Sequence, residues 1–428
     1  MKKLLGILVL GLLWCNISFA YGEKYRIKNF TRWLYENGHN QYLEKDSDGR
    51  LQTNLKKIRL NKKKRPLDYQ SNPNRDTLLY YLWDQAYGAR IWYEVKPSKK
   101  PYEFKFNLIE DKFVKKQMKT KAIMSYLYFQ DGHILIDEIS PKERLGEFIN
   151  NETKFYSLSM SKSVVSYILG HAICDGYIDG VDARVNDWPI IKDSLYHDQK
   201  LIDFLNMSTG DQKYIDEFED GTSALGPYED NAISVTMSLF FKDSVKSKSL
   251  YNYNGFVTQL IINYIKHKTG DDYEKLLNKI FADKVKIKYS ILPTFGGGTG
   301  QGKLHPNLNA SRYDWLRIAK AIMDDYQNDT CVGKYLKEIH KRRIPKNYGG
   351  HKKEPEFNRT KSYGGQFHMD YPGLKDRVVF GFGGYGGNAI LIDVEKSRIV
   401  VLNSLHYNNK RFKYSVKKLL IDPIKNGK

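Results

Sequence analysis

The feature that most constrains this chain is an apolar stretch from Phe155 to Asp182 that begins with a serine and a lysine one helical turn apart. Ser159 and Lys162 share one face of a helix, because they are three positions apart. Apolar residues then recur at helical spacing at Val164, Val165, Ile168, Leu169, Ala172 and Ile173. Gly176 is a typical stop signal. The stretch therefore predicts a buried helix that presents a lysine amine to a serine hydroxyl.

The Ser-x-x-Lys spacing alone is a weak signal. It recurs at Ser415 and Lys418, and a chain with 69 lysine and arginine residues contains such pairs by chance. The plainer interpretation is a helix-capping serine with a solvated lysine. The rest of the chain has to decide between the two pairs.

The first twenty residues predict an export signal. Two lysines precede an apolar run, and residues 18–20 (Ser-Phe-Ala) form a small-x-small cleavage site. The run is short for a membrane span. A lipoprotein signal at Cys15 fits less well, because Trp14 is bulky. We expect residues 1–20 to be a signal peptide and the mature chain to be periplasmic or extracellular.

Cys174 and Cys331 are the cysteines that remain after cleavage. They could pair in an exported chain, but Cys174 lies on the predicted buried helix, where a thiol behaves as a small hydrophobic group. We therefore favour two free thiols, and whether Cys174 and Cys331 pair stays open. No C-x-x-C pair or histidine cluster indicates a metal, and the glycine-rich segment 296–302 lacks the Gly-Lys-Ser/Thr ending of a phosphate-binding loop. We expect no metal and no cofactor.

The formal net charge is +20, which is compatible with anionic partners. The lysines are scattered, so we expect no nucleic-acid binding. Residues 55–65 (LKKIRLNKKKR) form the densest basic block, and we interpret it as a solvated loop or as an electrostatic contact with an anionic cell envelope. The oligomeric state stays open.

The pattern of elements predicts an α+β fold. Residues 21–104 form an N-terminal extension, with a short helix at 77–83 and a strand at 89–95, that packs on a larger domain at 105–428. That domain begins with a hairpin whose turn is Asp131-Gly132. Helical patterns follow at 201–207, 231–241, 257–267, 273–281 and 311–324. Strands at 377–402 and a helix at 412–424 complete an antiparallel sheet flanked by helices.

Further motifs follow Ser159-x-x-Lys162 in a fixed order. They are Leu205-Asn206-Met207-Ser208-Thr209-Gly210, then Tyr253-Asn254-Gly255, then Gly384-Tyr385-Gly386-Gly387-Asn388 between two strands. In this series the chain resembles the β-lactamase and penicillin-binding-protein superfamily of serine hydrolases. The resemblance covers about residues 105–428. It is most specific to the class C-related branch, which includes esterases, D-aminopeptidases and 6-aminohexanoate-dimer hydrolases.

The resemblance implies a nucleophilic role for Ser159 and a base role for Lys162. A serine hydroxyl attacks only after a base removes its proton, and a lysine can do this only in its neutral form. Tyr253 would share that proton and return it to the leaving group. Tyr251 is the alternative for this tyrosine.

The resemblance also implies an oxyanion hole made by the backbone N–H groups of Ser159 and Gly387. Gly384 and Gly386 would leave room for the substrate backbone, and Tyr385 would line the pocket. These three residues are the predicted substrate-binding positions.

Two departures from the family pattern bear on the substrate. Gly384 occupies a position where true β-lactamases and transpeptidases carry a cation, and the third position of the tyrosine motif is Gly255, without an amide or hydroxyl. We therefore expect an exported hydrolase of an ester or short amide. The alternatives are a β-lactamase or D-Ala-D-Ala peptidase, and a non-catalytic envelope protein that retains the fold.

Overall fold

The structure is a computed structural model that describes residues 27–62, 73–84, 94–211, 233–234, 237–295, 304–346, 360–374, 376–405 and 414–428. Three predicted features lie wholly or mostly outside these residues: the signal peptide, the strand at 89–95 and the glycine-rich segment 296–302.

The described strands form one large sheet and two small ones. In chain order the strands are β1 (Leu43–Lys45), β2 (Leu51–Thr53), β3 (Lys105–Phe106), β4 (Ile123–Gln130), β5 (His133–Ile139), β6 (Phe155–Tyr156), β7 (Leu292–Phe295), β8 (Leu304–Ala310), β9 (Ile344–Pro345), β10 (Ser362–Gly364), β11 (Phe367–Met369), β12 (Val379–Gly384), β13 (Asn388–Asp393) and β14 (Arg398–Ser404). The nine-stranded sheet has the order β3-β5-β4-β14-β13-β12-β11-β10-β9. Its pairs are antiparallel except for β3 with β5.

The sheet begins with the hairpin that the sequence predicts. Asp131 and Gly132, between β4 and β5, both have positive φ, at 47° and 86°. A two-residue turn with both φ positive matches the twist of the strands that it joins. The C-terminal strands join this hairpin because β14 pairs with β4, beginning with Arg398 opposite Gln130. The N-terminal hairpin and the C-terminal strands therefore form one sheet, as expected.

The helices cover both faces of the large sheet. In chain order they are α1 (27–36), α2 (Leu55–Ile58), α3 (Arg75–Asp84), α4 (Lys112–Thr120), α5 (Lys142–Leu145), α6 (Ser161–Cys174), α7 (Leu201–Leu205), α8 (Gly255–Thr269), α9 (Tyr273–Asn278), α10 (Arg312–Gln327), α11 (Cys331–Lys341) and α12 (Asp422–Asn426). Shorter helical turns lie at Asn40–Tyr42, Gly146–Phe148, Leu158–Met160, Pro189–Ile191, Met237–Phe241, Gly270–Asp272, Lys279–Lys284, Tyr385–Gly387 and Lys417–Ile421.

Strand β14 shows how the sheet is buried on both sides. Ile399 and Val401 belong to the larger core, with α6, α8 and α10. Val400 and Leu402 belong to a second core, with α4 and the C-terminal helical residues. Successive side chains of a strand point to opposite faces, so β14 contributes apolar side chains to both cores. The α+β fold class is thus confirmed.

The helices predicted at 201–207, 257–267, 273–281 and 311–324 are present, with ends shifted by a few residues, whereas the helix predicted at 231–241 is described only at 233–234 and 237–241. Helix α10 begins after Ser311, whose side chain caps the helix by accepting a hydrogen bond from the Asp314 N–H. Within the described ranges, no helix has the length and apolar character needed to span a membrane.

The N-terminal segments pack beside the strand that leads to the Ser-x-x-Lys motif. The Trp33 indole donates to the Lys154 carbonyl at 2.9 Å. The Tyr156 hydroxyl donates to the Leu82 carbonyl at 3.4 Å. Residues of α1, α3 and β6 share one hydrophobic cluster. The N-terminal part therefore supports the residues immediately before Ser159, while the predicted division at residue 104 stays a prediction.

The expectation of free thiols is wrong, because Cys174 and Cys331 form a disulfide. Cys174 is the last residue of α6 and is half-buried, so it lies at the edge of the core, where a partner can reach it. Helix α11 crosses α6 closely because Gly170 has no side chain. A Cβ there would lie 2.6 Å from the Tyr335 ring. The packing of two helices that are distant in sequence brings the sulfurs together.

We predict that the disulfide stabilises the fold substantially. It closes a loop across a sequence separation of 157 residues. Replacing both cysteines (Cys174→Ala with Cys331→Ala) should lower the free energy of unfolding by about 3 kcal/mol, because the unfolded chain regains loop entropy. Urea unfolding followed by circular dichroism measures this. Reductant should destabilise the wild type and leave the double variant unchanged; equal midpoints for the oxidised wild type and the variant would contradict the prediction.

Candidate active site

Ser159 lies in a strained turn between β6 and α6. The preceding residue, Leu158, has a φ of 47°, a left-handed conformation that is unfavourable for a bulky side chain. The turn is fixed to β8: the Ser157 N–H donates to the Leu308 carbonyl, and the Ser157 Oγ accepts from the Leu308 N–H, both at 2.9 Å. Strain of this kind persists only where the surroundings impose it, and it recurs at functional sites.

Lys162 lies one turn further along, with its amine directed at Ser159. The Lys162 Nζ donates to the Ser159 Oγ at 3.0 Å. Lys162 is only 7% exposed, whereas Ser159 is half-buried. Burial disfavours a charged amine, and this favours the neutral form that a base requires. The structure therefore brings the two predicted residues into the contact that proton transfer needs.

The second Ser-x-x-Lys pair has a different geometry. The Ser415 Oγ accepts from the backbone N–H of Lys418 at 3.4 Å. The Lys418 amine lies over the Phe113 ring, 4.9 Å from its centroid. The amine of Lys417 pairs with Asp422 at 2.7 Å. This serine caps a helical turn, which is the plainer interpretation of the spacing.

Tyr253 is the tyrosine that the structure places against Lys162. The Lys162 Nζ lies 4.9 Å from the centroid of the Tyr253 ring. Tyr251 instead packs on Tyr363, with ring centroids 5.2 Å apart. This favours Tyr253 over the alternative. The catalytic role of Tyr253 stays a prediction.

The segment around Tyr253 is held by the motif that precedes it in sequence. The Asn252 N–H donates to the Met207 carbonyl at 2.8 Å, and the Asn254 N–H contacts the Met207 sulfur at 3.4 Å. The Asn254 side chain caps α8 by accepting from the Phe256 N–H. The Leu205–Gly210 motif therefore sets the position of Tyr253.

Asp211 anchors the same segment, and the sequence analysis did not single it out. Its carboxylate accepts from the Asn254 side chain at 2.8 Å and from the Tyr196 hydroxyl at 2.9 Å. Burial raises the pKa of Asp211, against the lowering effect of its hydrogen bonds to Tyr196 and Asn252. No local pattern distinguishes this aspartate from those in exposed loops.

The glycine-rich turn lies against the serine turn. A Cβ on Gly384, at the end of β12, would lie 2.8 Å from the Ser157 carbonyl and 3.2 Å from the Met160 Cγ. Gly386 and Gly387 have φ values of 83° and 82°, which favour glycine. The absence of a cation at Gly384 thus has a steric cause in this chain, because no side chain fits there.

Asn388 fixes this turn from the other side. Its side-chain amide donates to the Tyr385 carbonyl at 2.8 Å, and its side-chain oxygen accepts from the Ser404 N–H at 3.0 Å. The Gly387 carbonyl accepts from the Tyr414 hydroxyl at 2.6 Å. The predicted positions Tyr385, Gly386 and Gly387 thus form one braced turn next to the serine. The roles predicted for Gly384, Tyr385, Gly386 and Gly387 are not tested by these contacts and stay predictions.

A buried lysine–histidine pair lies behind Tyr253, and sequence reasoning missed it. The Lys346 Nζ lies 2.9 Å from the His368 Nδ1. The His368 ring stacks on the Tyr253 ring, with centroids 6.3 Å apart and planes at 22°. Burial is the main cause that lowers the pKa of His368 well below its usual value. Lys346 follows β9 and His368 lies in β11, so no sequence spacing signals the pair.

The site therefore contains a serine hydroxyl in contact with a lysine amine that lies over the Tyr253 ring, and a glycine-rich turn packs against the serine turn. Among the described residues, no group of three histidine, cysteine, aspartate or glutamate side chains could hold a metal ion. The arrangement is suited to attack by an activated hydroxyl on an acyl carbon.

The fold is that of the β-lactamase and penicillin-binding-protein type of serine hydrolase. No protein-family profile and no curated protein matches the sequence. Similarity is found among solved structures. A Bacillus anthracis protein described as a 6-aminohexanoate-dimer hydrolase has a TM-score of 0.62 and 13% identity, with 84% of this chain and 98% of that chain covered.

Two further structures share the fold. A Bacteroides dorei protein described as a β-lactamase has a TM-score of 0.51 and 14% identity, covering 71% of this chain and 93% of that one. EstCE1, described as a hydrolase with promiscuous acyltransferase activity, has a TM-score of 0.50 and 11% identity, with the same coverage. At these identities the likeness establishes the fold, which is the fold that the motif series implies.

We predict that the Tyr253 hydroxyl, not that of Tyr251, contributes to the reactivity of Ser159. Tyr253→Phe keeps the ring over Lys162 and removes only the oxygen, so turnover of a p-nitrophenyl ester should fall by about 100-fold or more. Tyr251→Phe is the matched control and should stay within a few-fold of wild type. Equal effects of the two variants would contradict the assignment.

Proposed function

We propose that this chain is an exported serine hydrolase that cleaves an ester or short amide through an acyl-enzyme on Ser159. The observation that carries the proposal is the 3.0 Å contact between the buried amine of Lys162 and the Ser159 hydroxyl, within a serine hydrolase fold. Ser159 is half-buried, so a small substrate can reach it.

The reaction proceeds in two half-reactions. Neutral Lys162 accepts the hydroxyl proton as the Ser159 Oγ bonds to the acyl carbon. The tetrahedral intermediate then expels the alcohol or amine, which takes a proton that passes from Lys162 by way of Tyr253. Water attacks the acyl-enzyme with the same residues acting in reverse order. The carboxylic acid leaves, and Ser159 regains its proton.

The oxyanion of each intermediate needs two backbone donors. The Ser159 N–H lies at the start of α6, where the helix dipole favours negative charge. The Gly387 N–H is the second donor that the motif pattern implies.

The substrate class that we propose rests on the glycine-rich turn at Gly384. Gly384 cannot carry the cation with which β-lactamases bind a carboxylate, because its Cβ position is occupied by the Ser157 carbonyl. A substrate without that requirement, such as a small ester or short amide, therefore fits better. Tyr385 is half-buried beside the turn and would line the acyl pocket. No nucleic acid or cofactor takes part.

Two observations support export. The leader-like residues 1–20 have the features of a signal peptide. The disulfide between Cys174 and Cys331 persists in oxidising compartments, and Cys331 is exposed, so a reducing cytosol would expose it to exchange. The net charge of +20 would hold the mature chain near an anionic envelope.

The two serines of the Ser-x-x-Lys pairs provide a matched test. Ser159→Ala should abolish labelling by a fluorophosphonate probe and reduce p-nitrophenyl ester turnover by at least about a thousandfold, because the nucleophile is lost. Ser415→Ala should leave both unchanged, since Ser415 caps a helical turn. Labelling is read by mass spectrometry on the folded mature chain.

Other results of this test would change either the site assignment or the proposed function. Turnover that survives Ser159→Ala would refute the site. A folded wild type that neither turns over esters nor accepts the probe would support the non-catalytic alternative.

The β-lactam alternative is tested separately. We predict no covalent adduct with labelled penicillin, because the carboxylate-binding cation of β-lactamases has no counterpart at Gly384. The measurement is the intact mass after incubation with a large excess of penicillin, with a known penicillin-binding protein as positive control. A stoichiometric adduct on Ser159 would make penicillin recognition the better assignment.

A further inference from the structure

The β3 edge of the large sheet carries apolar side chains that the chemistry at Ser159 does not use. Strand β3 pairs with β5, and the Ile109 N–H further along donates to the Leu135 carbonyl at 2.9 Å. Phe106, Leu108 and Ile109 are 52%, 60% and 42% exposed. They are three of the seven large apolar side chains that are exposed in the described part of the chain. Single exposed apolar residues are ordinary, whereas a group of them marks a contact surface.

Helix α4 follows this edge and exposes a stripe of lysines. Its buried residues include Val114 and Met118, which belong to the second core. The lysines on its other side are all exposed: Lys112, Lys115, Lys116 and Lys119. Positions spaced by three, four and seven residues lie on one face of a helix. The helix therefore places apolar residues against the sheet and four ammonium groups toward solvent.

Two contacts join the stripe to the edge. The Lys115 amine pairs with Glu110 at 3.2 Å, so this side of the helix faces the edge segment. Asp111 caps α4 and pairs with Lys428 at 2.5 Å. The two acids of residues 105–120 are thus both engaged by lysines. The exposed Lys418 amine, over a phenylalanine ring of α4, adds a further positive charge beside the stripe.

The apolar and basic groups are close enough to act on one partner. Leu108 and Lys112 are four positions apart, which is at most about 13 Å along the chain. We call the three apolar residues of the edge and the four lysines of α4 the edge surface.

We propose that the edge surface docks on an anionic lipid bilayer. The apolar side chains would enter the interfacial region, and the lysines would bind the charged headgroups, which is the combination that peripheral membrane surfaces use. The proposal goes beyond the proposed function and is independent of the chemistry at Ser159. It assigns contact with an anionic envelope to this surface and not to residues 55–65.

The charge of the edge surface favours this partner over two others. A second copy of the chain would bring the same lysines against the first set, and like charges repel. Lysines on an edge strand, such as Lys105, also oppose pairing between sheet edges. A polyanionic polymer would bind the lysines but would leave the three apolar side chains in water. A bilayer with anionic headgroups is complementary to both kinds of side chain.

The edge surface lies well away from the candidate active site. Strand β12 is the sixth strand counted from β3. Neighbouring strands lie about 4.8 Å apart, so the Ser159 turn at the end of β12 is about 24 Å across the sheet from this edge. A bilayer at the β3 edge would therefore leave Ser159 open to substrate.

The test is cosedimentation of the mature chain with vesicles of phosphatidylglycerol and phosphatidylcholine, and with vesicles of phosphatidylcholine alone. The wild type should bind the first and not the second. Lys112→Gln combined with Lys116→Gln and Lys119→Gln should weaken binding at least about tenfold, because three headgroup contacts are lost. Lys115 is kept, since it pairs with Glu110.

The apolar side chains are tested at raised salt, which screens the lysines. Leu108→Ser combined with Ile109→Ser should weaken the remaining binding by about tenfold, because less apolar area is buried in the interface. Val245→Ser is the matched control. Val245 is 72% exposed and far from α4 in sequence, and its replacement should not change binding.

The basic block at residues 55–65 provides the charge control. Lys56→Gln combined with Lys57→Gln and Arg59→Gln removes three exposed charges from that block and should bind like the wild type. An equal loss in this variant would show that overall charge drives binding and would overturn the proposal.

Other results would also overturn it. Equal binding to neutral vesicles, or no binding to anionic ones, excludes the partner. Binding that depends on the lysines but at no salt concentration on Leu108 and Ile109 would identify a polyanion site. A dimer in sedimentation that Leu108→Ser disrupts would identify a second copy instead. Circular dichroism confirms that each variant is folded, and Lys116→Gln or Leu108→Ser alone replaces a multiple variant that is not.

Discussion

The hydrogen bond between Lys162 and Ser159 is the contact on which the rest of the site depends. A lysine amine is costly to bury when it is charged, so a buried lysine beside a hydroxyl needs surroundings that favour its neutral form. Helix α6 provides the rigid support because it is buried along nearly its whole length. The strained Leu158 turn then orients the hydroxyl toward the amine. Tyr253 covers the amine from outside, and the Lys346–His368 pair lies behind Tyr253.

A second constraint is the close approach of the sheet to the serine turn. The end of β12 meets Ser157 so tightly that only glycine fits at position 384. This contact joins the turn that carries Ser159 to the glycine-rich turn at the end of β12. It also leaves no room at position 384 for a cationic side chain. One steric requirement thus supports the architecture of the candidate site.

Much of the fold could be predicted from the sequence because its signals are local. The Asp131-Gly132 turn, the Ser311 cap and the alternation along β14 are each set by a few neighbouring residues. The motif series predicted Ser159, Lys162 and Tyr253 as site residues, and the structure places the Lys162 amine against the other two side chains. Their catalytic roles stay predictions. The disulfide was predicted wrongly, because whether Cys174 faces the core or its edge depends on how α11 crosses α6.

The sequence by itself determined the elements, the fold class and a serine–lysine–tyrosine series, because helix spacing, turn residues and motif order are properties of neighbouring positions. It could not distinguish Ser159 from Ser415 by spacing. Tertiary structure decided that difference by placing one lysine amine on a hydroxyl and the other over a phenylalanine ring. It also decided the Lys346–His368 pair and the anchoring by Asp211. These contacts join residues far apart in sequence, and only the packing of the sheet and helices brings them within hydrogen-bonding distance.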